Sequence, residues 1–188
     1  MTLIKSISGI RGTIGGKVGD NLTPVDAVKF ASAYGTWLKN NSGKDNKNLK
    51  VVVGRDARIS GPMIHNLVVN TLVGLGIDVI DLGLSTTPTV EVAVPLESAD
   101  GGIILTASHN PKQWNALKLL NENGEFLNGV EGEKILQIAE AEAFDFSDVD
   151  NLGVVIENGA YMDIHIDEVV NLPLGVVEAV KAAKFKVV

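Results

Sequence analysis

Cysteine is absent from the chain. That excludes a disulfide framework, thiolate metal sites and cysteine nucleophiles. Long apolar runs are missing as well: no stretch approaches the roughly 20 residues that a membrane-spanning helix requires, and the opening Met-Thr-Leu-Ile-Lys has neither the basic start nor the apolar stretch of a signal peptide. The expectation is a cytoplasmic protein with no membrane partner, in which Asn21-Leu22-Thr23 means nothing as a glycosylation site. Histidine is scarce. His65, His109 and His165 lie far apart with no ligand-type spacing, so zinc is poorly supported and each reads as a surface or packing residue. Net positive charge is also lacking, since 16 Lys+Arg face 23 Asp+Glu for a formal charge of −7. Non-specific nucleic-acid binding, which needs a basic face for the phosphates, is therefore disfavoured.

What is present is a chain of 188 residues, 45% hydrophobic and 21% charged, a balance that suits a globular domain and excludes disorder. The length allows one full domain and the first elements of a second. The negative charge is unevenly placed: residues 1–62 carry ten basic against four acidic side chains, a local excess of +6, while 63–188 sum to −13. An anionic small molecule would be drawn to the N-terminal part. Lys39, Lys44, Lys47 and Lys50 are read more simply as the solvated rim of a loop.

The chain alternates strand and helix signals. Lys50–Gly54 is a β-branched run that enters a charged turn, Arg55-Asp-Ala-Arg-Ile-Ser-Gly61. Pro62 opens a helix in which Ile64, Leu67, Val68, Thr71, Leu72 and Leu75 recur at spacings of three and four, and Gly74 and Gly76 close it. A strand over 77–82 follows, then a helix over 89–95 announced by Thr86-Thr87-Pro88. Strands are predicted over 102–106 and 116–120, the second turning at Asn121-Glu-Asn-Gly124, and an amphipathic helix with an acidic face over 128–144. This order predicts an α/β fold with a mixed, largely parallel sheet sandwiched by helices, with ligands at the carboxyl ends of the strands. The first domain is expected to end near residue 150. Residues 151–188 read as an acidic linker, a short apolar stretch at 154–156, helices over 161–170 and 174–183, and the first half of a strand at 184–188. The native chain is expected to continue beyond it.

Two segments carry candidate chemistry. Leu105-Thr-Ala-Ser-His-Asn-Pro-Lys-Gln-Trp-Asn-Ala-Leu-Lys118 places Ser108 just after a buried strand, where its hydroxyl is either a nucleophile or part of a Ser-His-Asn turn that satisfies its own backbone. A hydrolase reading fits poorly. Adjacent residues in an extended segment point to opposite sides, so His109 is badly placed as a base for Ser108, and Thr106 and Asn110 stand where the G-x-S-x-G elbow needs glycines. Ser6-Ile-Ser-Gly-Ile-Arg-Gly-Thr-Ile-Gly-Gly16 reads as a glycine-rich loop in which Arg11 could hold a phosphate. It matches neither G-x-G-x-x-G nor the phosphate-binding loop motif. Arg55 and Arg58 are phosphate ligands or surface ion pairs. A binding module that holds a sugar phosphate without turnover is the alternative to an enzyme.

Together these segments resemble the α-D-phosphohexomutase family, which includes phosphoglucomutase, phosphomannomutase and phosphoglucosamine mutase. Ser8-Gly-Ile-Arg-Gly12 is similar to its N-terminal loop, Gly54-Arg-Asp-Ala-Arg-Ile-Ser-Gly61 to its G-x-D-x-R-x-S-G turn, and Thr106-Ala-Ser-His-Asn-Pro111 to its phosphoserine loop. The resemblance implies that Ser108 is phosphorylated, that it exchanges phosphoryl with a hexose phosphate through a hexose 1,6-bisphosphate, and that Arg11 and Lys118 neutralise charge or assist proton transfer. It further implies that His109 and Asn110 shape the loop and that Ser8, Gly9, Arg11, Gly12, Arg55, Arg58 and Asn110 surround the phosphates. Mg²⁺ would bind through the phosphate on Ser108 and through three aspartates of a second-domain D-G-D-x-D-R loop. That loop is absent from these residues, as are the family's sugar-recognition and C-terminal phosphate loops, so the chain alone is expected to be inactive or nearly so. Ala116 replaces a glycine common in the family's N-G-x-K ending, and Trp114 reads as packing more readily than as a sugar-stacking ring.

Overall fold

Alternation along a few strands decides the architecture. In the central strand β3 (Lys50–Arg55), Val51 and Val53 face one side and Val52 the other; in β5 (Gly101–Leu105), Ile103 and Leu105 oppose Ile104 in the same way. Both faces of such strands are apolar, so both must be covered. The computed structural model describes residues 1–6, 9–43, 49–173 and 176–186. Within them a seven-stranded sheet runs in the order β1-β2-β6-β5-β3-β4-β7, its further strands being β1 (Ile4–Ser6), β2 (Gly9–Thr13), β4 (Asp78–Leu84), β6 (Trp114–Leu120) and β7 (Val155–Glu157). β5, β3, β4 and β7 are mutually parallel, while β6, β2 and β1 complete the sheet by antiparallel pairing. The mixed sheet between helical layers matches the sequence expectation.

Helices α1 (Pro24–Asn41), α2 (Gly61–Gly74) and α4 (Gly129–Ala141) cover one face, where Phe30, Tyr34, Ile64, Leu72 and Ile135 pack on Val51, Val53, Ile103 and Leu117. The opposite face is closed by α3 (Thr87–Leu96), whose Val90, Ala93 and Val94 meet Val52, Ile80 and Ile104. Helix α1, which the sequence reading did not single out, begins on a reciprocal cap between Thr23 and Asp26 and is buried around most of its circumference. The Tyr34 hydroxyl crosses the core to donate to the Leu120 carbonyl at 2.7 Å, and Gly101 is required because a Cβ there would run into that hydroxyl. Burial, the largest influence on the Tyr34 phenol, holds its pKa far above the usual value.

The expected linker from 151 contains the last strand of this sheet. Val155–Glu157 pair in parallel with β4, whose edge would otherwise be open, and Tyr161 at the start of α5 (Tyr161–Val170) is buried beside α3 with its hydroxyl 2.7 Å from Glu97 Oε1. Tyr161 thus belongs to the first core, whereas Val154, Val155 and Ile156 extend the sheet but remain exposed. Farther on, α6 (Val177–Ala183) has no buried residue, and Lys184, at φ 50°, ends it in a left-handed turn. Residues 184–186 form no strand, contrary to expectation, and 187–188, like Lys44 and Lys47, lie outside the described residues. No described helix is long and apolar enough to cross a membrane.

Candidate functional site

Three chain segments meet at the carboxyl end of β5. The strand ends at Leu105, and the chain turns through Thr106 and Ala107 to Ser108, which sits at φ 52°, a left-handed conformation that is uncommon outside glycine. It then returns as β6, antiparallel to β5, with Lys118 opposite Ile104. On the far side of β6, β2 pairs antiparallel so that Gly9 faces Lys118 and Arg11 faces Ala116. The result is a cleft of about 140 Å³, lined by Arg11, Ser108, His109, Asn110 and Lys118 among others.

Within it Lys118 Nζ donates to Ser108 Oγ at 2.9 Å, and the Lys118 ammonium also lies 5.8 Å from the centre of the Phe126 ring. Arg11 is exposed in the cleft, and among the described residues neither Arg11 nor Lys118 is paired with a carboxylate. Two uncompensated cations beside a nucleophile-type hydroxyl make a site for a dianion. His109 is exposed at the rim without a hydrogen bond to another described residue. Asn110 shapes the turn: its backbone N–H and its side-chain amide both donate to the Ala107 carbonyl at 3.0 Å.

The segment expected to be a glycine-rich loop is instead largely strand β2. Its glycines serve packing: Gly9, at φ 144°, lies so close to β6 that a Cβ would collide with the Leu117 carbonyl, and Gly12 abuts Leu22. Gly9 still lines the cleft, whereas Ser8 lies outside the described residues. Arg55 does not line the cleft; its Nη1 donates to the Asp56 carbonyl.

Arg58 departs furthest from expectation. Its guanidinium has five N–H groups, and each has a partner: Nε donates to Asp56 Oδ2 at 3.1 Å, Nη1 to the carbonyls of Pro111 and Trp114 at 2.9 and 3.0 Å, and Nη2 to those of Ser108 and Asn110 at 2.7 and 2.8 Å. With its side chain only 11% exposed, it has no donor left for a phosphate. Two residues given no role by sequence reasoning join it. Asp56 Oδ1 accepts the Arg58 backbone N–H at 3.0 Å, and Oδ2 accepts the Thr106 hydroxyl at 2.6 Å. The Asp-x-Arg spacing of the turn carries the local signal, since Asp readily accepts from the amide two residues on.

Elsewhere His65 bonds Asp81 at 2.9 Å. Burial alone would raise the Asp81 carboxyl, but hydrogen bonds from His65 and the Gly83 amide, with the charges of His65 and Arg55, outweigh it and lower the pKa. His165 bonds Thr89. Among the described residues no three His, Cys, Asp or Glu side chains cluster as a metal site.

Comparison with known proteins agrees with this fold. The sequence model of the phosphoglucomutase/phosphomannomutase α/β/α domain I matches residues 3–146. A phosphoglucomutase/phosphomannomutase of Thermococcus kodakarensis is 44% identical over 115 residues, covering 60% of this chain and 25% of that protein. A probable phosphoglucosamine mutase of Pyrococcus abyssi is 39% identical over 137 residues, 73% of this chain and 28% of the relative. Among solved structures, a putative phosphomannomutase from Thermus thermophilus superposes with a TM-score of 0.68 at 28% identity, covering 85% of this chain and 34% of that one. A phosphoglucomutase/phosphomannomutase family protein from Burkholderia thailandensis shares the fold, with a TM-score of 0.72 at 24% identity over 89% of this chain and 35% of its own. The chain spans about a quarter to a third of the length of the relatives it matches.

Proposed function

The chain belongs to the phosphoglucomutase/phosphomannomutase family, and from that premise we propose that it is the phosphoryl-carrying domain of a cytoplasmic phosphohexomutase. In this reading Ser108 holds the phosphoryl group that moves between positions 1 and 6 of a hexose phosphate. The observation that carries it is the 2.9 Å hydrogen bond from Lys118 to Ser108 Oγ, beside an Arg11 that has no carboxylate partner among the described residues.

The chemistry follows from charge and position. A hydroxyl of the sugar attacks the phosphorus on Ser108; the new P–O bond forms as the Oγ–P bond breaks, the sugar hydroxyl gives its proton to solvent and Oγ gains one. Lys118, already bonded to Oγ, is placed to donate that proton and to recover one when the bisphosphorylated sugar returns its other phosphate. Arg11 and Lys118 neutralise the negative charge that phosphoryl transfer spreads over the equatorial oxygens. Mg²⁺ would meet the phosphate on Ser108, to which it would supply further neutralisation. Because no acidic cluster stands beside it among the described residues, this chain's part is to supply that one ligand. Helix α6 is read as the opening of a second domain, whereas α5 is tied to the first by Tyr161 and Ile164. On this reading residues 1–188 alone turn over little or no substrate.

The test is peptide mass spectrometry of the full-length protein as purified. The peptide containing Ser108 should carry an added phosphate of about 80 Da, lost on treatment with hexose phosphate. A Ser108 that stays unmodified after a hexose 1,6-bisphosphate and Mg²⁺ are supplied would overturn the phosphoryl-carrier role in favour of a sugar-phosphate-binding module.

A further inference from the structure

Ser108 occupies a backbone conformation that a residue with a Cβ seldom adopts unaided. Something must hold it there, and the two backbone polar groups of Ser108 show what does. Its N–H donates to Thr106 Oγ1 at 3.0 Å, and the Thr106 hydroxyl in turn donates to Asp56 Oδ2. Its carbonyl accepts from Arg58 Nη2. Both tethers lead back to one turn, and within that turn Arg58 and Asp56 are bonded to each other twice, through the Arg58 Nε and its backbone N–H.

We propose that Arg58 and Asp56 are positioning residues that lock the 106–114 loop in the one shape that presents Ser108 Oγ to Lys118. The proposal rests on the phosphoryl-carrier reading above. Carbonyls at four positions along the loop, 108, 110, 111 and 114, converge on one guanidinium. Carbonyl oxygens gathered in this way repel one another unless a cation stands between them, so the loop geometry and the arginine require each other. A lysine cannot replace it, because three donors on a point charge do not reach four acceptors arranged around a planar fork. Asp56 is equally specific: Oδ2 accepts from both Thr106 and Arg58, which an amide nitrogen at that place would reverse. Such a clamp matters to a residue that gains and loses a doubly charged group in each cycle. The oxygen must stay fixed while its charge changes, and a misplacement of about 1 Å is enough to slow a positioned reaction about 100-fold.

The experiment uses the full-length protein and reads kcat and KM for hexose phosphate isomerisation, the rate of phosphate transfer to Ser108 from hexose 1,6-bisphosphate, and thermal melting. Arg58→Lys and Asp56→Asn are each expected to lower kcat and the transfer rate about 100-fold while KM stays within about threefold. Thr106→Val is expected to lose about tenfold, and Thr106→Ser, which restores the hydroxyl, to recover most of it. A merely structural role would lower the melting temperature and the folded fraction but leave kcat per folded molecule unchanged. Retention of kcat within about threefold in Arg58→Lys or Asp56→Asn overturns the proposal. If those two variants fail to fold, equal rates for Thr106→Val and Thr106→Ser overturn it. Turnover that survives Ser108→Ala is a different failure, because it removes the phosphoryl carrier itself.

Discussion

Replacing Lys118 by methionine removes the ammonium group while keeping an unbranched apolar stem for contact with Phe126. The lost interaction is the 2.9 Å charge-assisted bond to Ser108 Oγ. Hydrogen bonds to charged groups contribute about 1.5–3 kcal/mol. If that contribution is realised as charge moves onto Oγ during transfer, the rate should fall by roughly 10- to 150-fold, since about 1.4 kcal/mol is a tenfold change. The cleft opens to solvent and Lys118 is only half-buried, so the lower part of that range is the better guide at physiological salt. The fold should not suffer, because the Lys118 ammonium faces the cleft and is not needed by the core. The assay is a quenched single turnover of phosphorylated full-length protein with hexose 1-phosphate, following the Ser108 peptide by mass spectrometry, with thermal melting as the control. A rate within about threefold of wild type in a normally folded protein would refute the reasoning, because an ammonium in direct contact with the reacting oxygen cannot be that dispensable.

Gly9→Ala forces a side chain into the Leu117 carbonyl at a backbone conformation reserved for glycine; a loss of at least about 2 kcal/mol in urea unfolding is expected, with hydrogen-exchange protection falling first across β2 and β6. Tyr34→Phe deletes one buried donor and leaves the Leu120 carbonyl short of a partner, a cost of about 1–2 kcal/mol with the urea m-value unchanged. Asp81 should make stability depend on acid. Its folded pKa lies below its unfolded value, so its contribution is fully present above the unfolded value near 4 and is lost as pH falls through the folded one. The urea midpoints of wild type and Asp81→Asn should therefore differ most at neutral pH and converge below about pH 4; a gap that persists unchanged at pH 3 would contradict the assignment.

The parallel half of the sheet was legible because its strands announce themselves: Val51–Val53 and Ile103–Leu105 are apolar on both faces and are bounded by glycine and charged turns. Helix α3 was equally plain from Thr86 and Pro88 at its start. Helix α1 was not, because it is enclosed on most sides. Ser32, Gly35 and Thr36 are buried alongside Phe30, Tyr34 and Trp37, so no clean apolar stripe separates from a polar face. Strand β2 was hidden by its glycines, which read as loop residues but are there because β6 and Leu22 press against them. In the site, Ser108, Lys118 and Arg11 could be named from motif and charge. The saturation of Arg58 could not, since its partners are mostly backbone carbonyls about 50 residues away and carbonyls have no sequence signature.

The pairing of β2 with β6 sets residue 11 against residue 116 and residue 9 against residue 118. A ribosome adding about 5–20 residues per second exposes the first of these segments roughly 5–20 s before the second. For that interval the glycine-rich strand that will flank the cleft can pair only with β1 on one edge, and its other edge stays open until β5 and β6 have formed a hairpin. The cleft is therefore among the last parts of the domain to be completed. The waiting N-terminal strand, rather than the phosphoserine loop, is the segment most exposed to mispairing during synthesis.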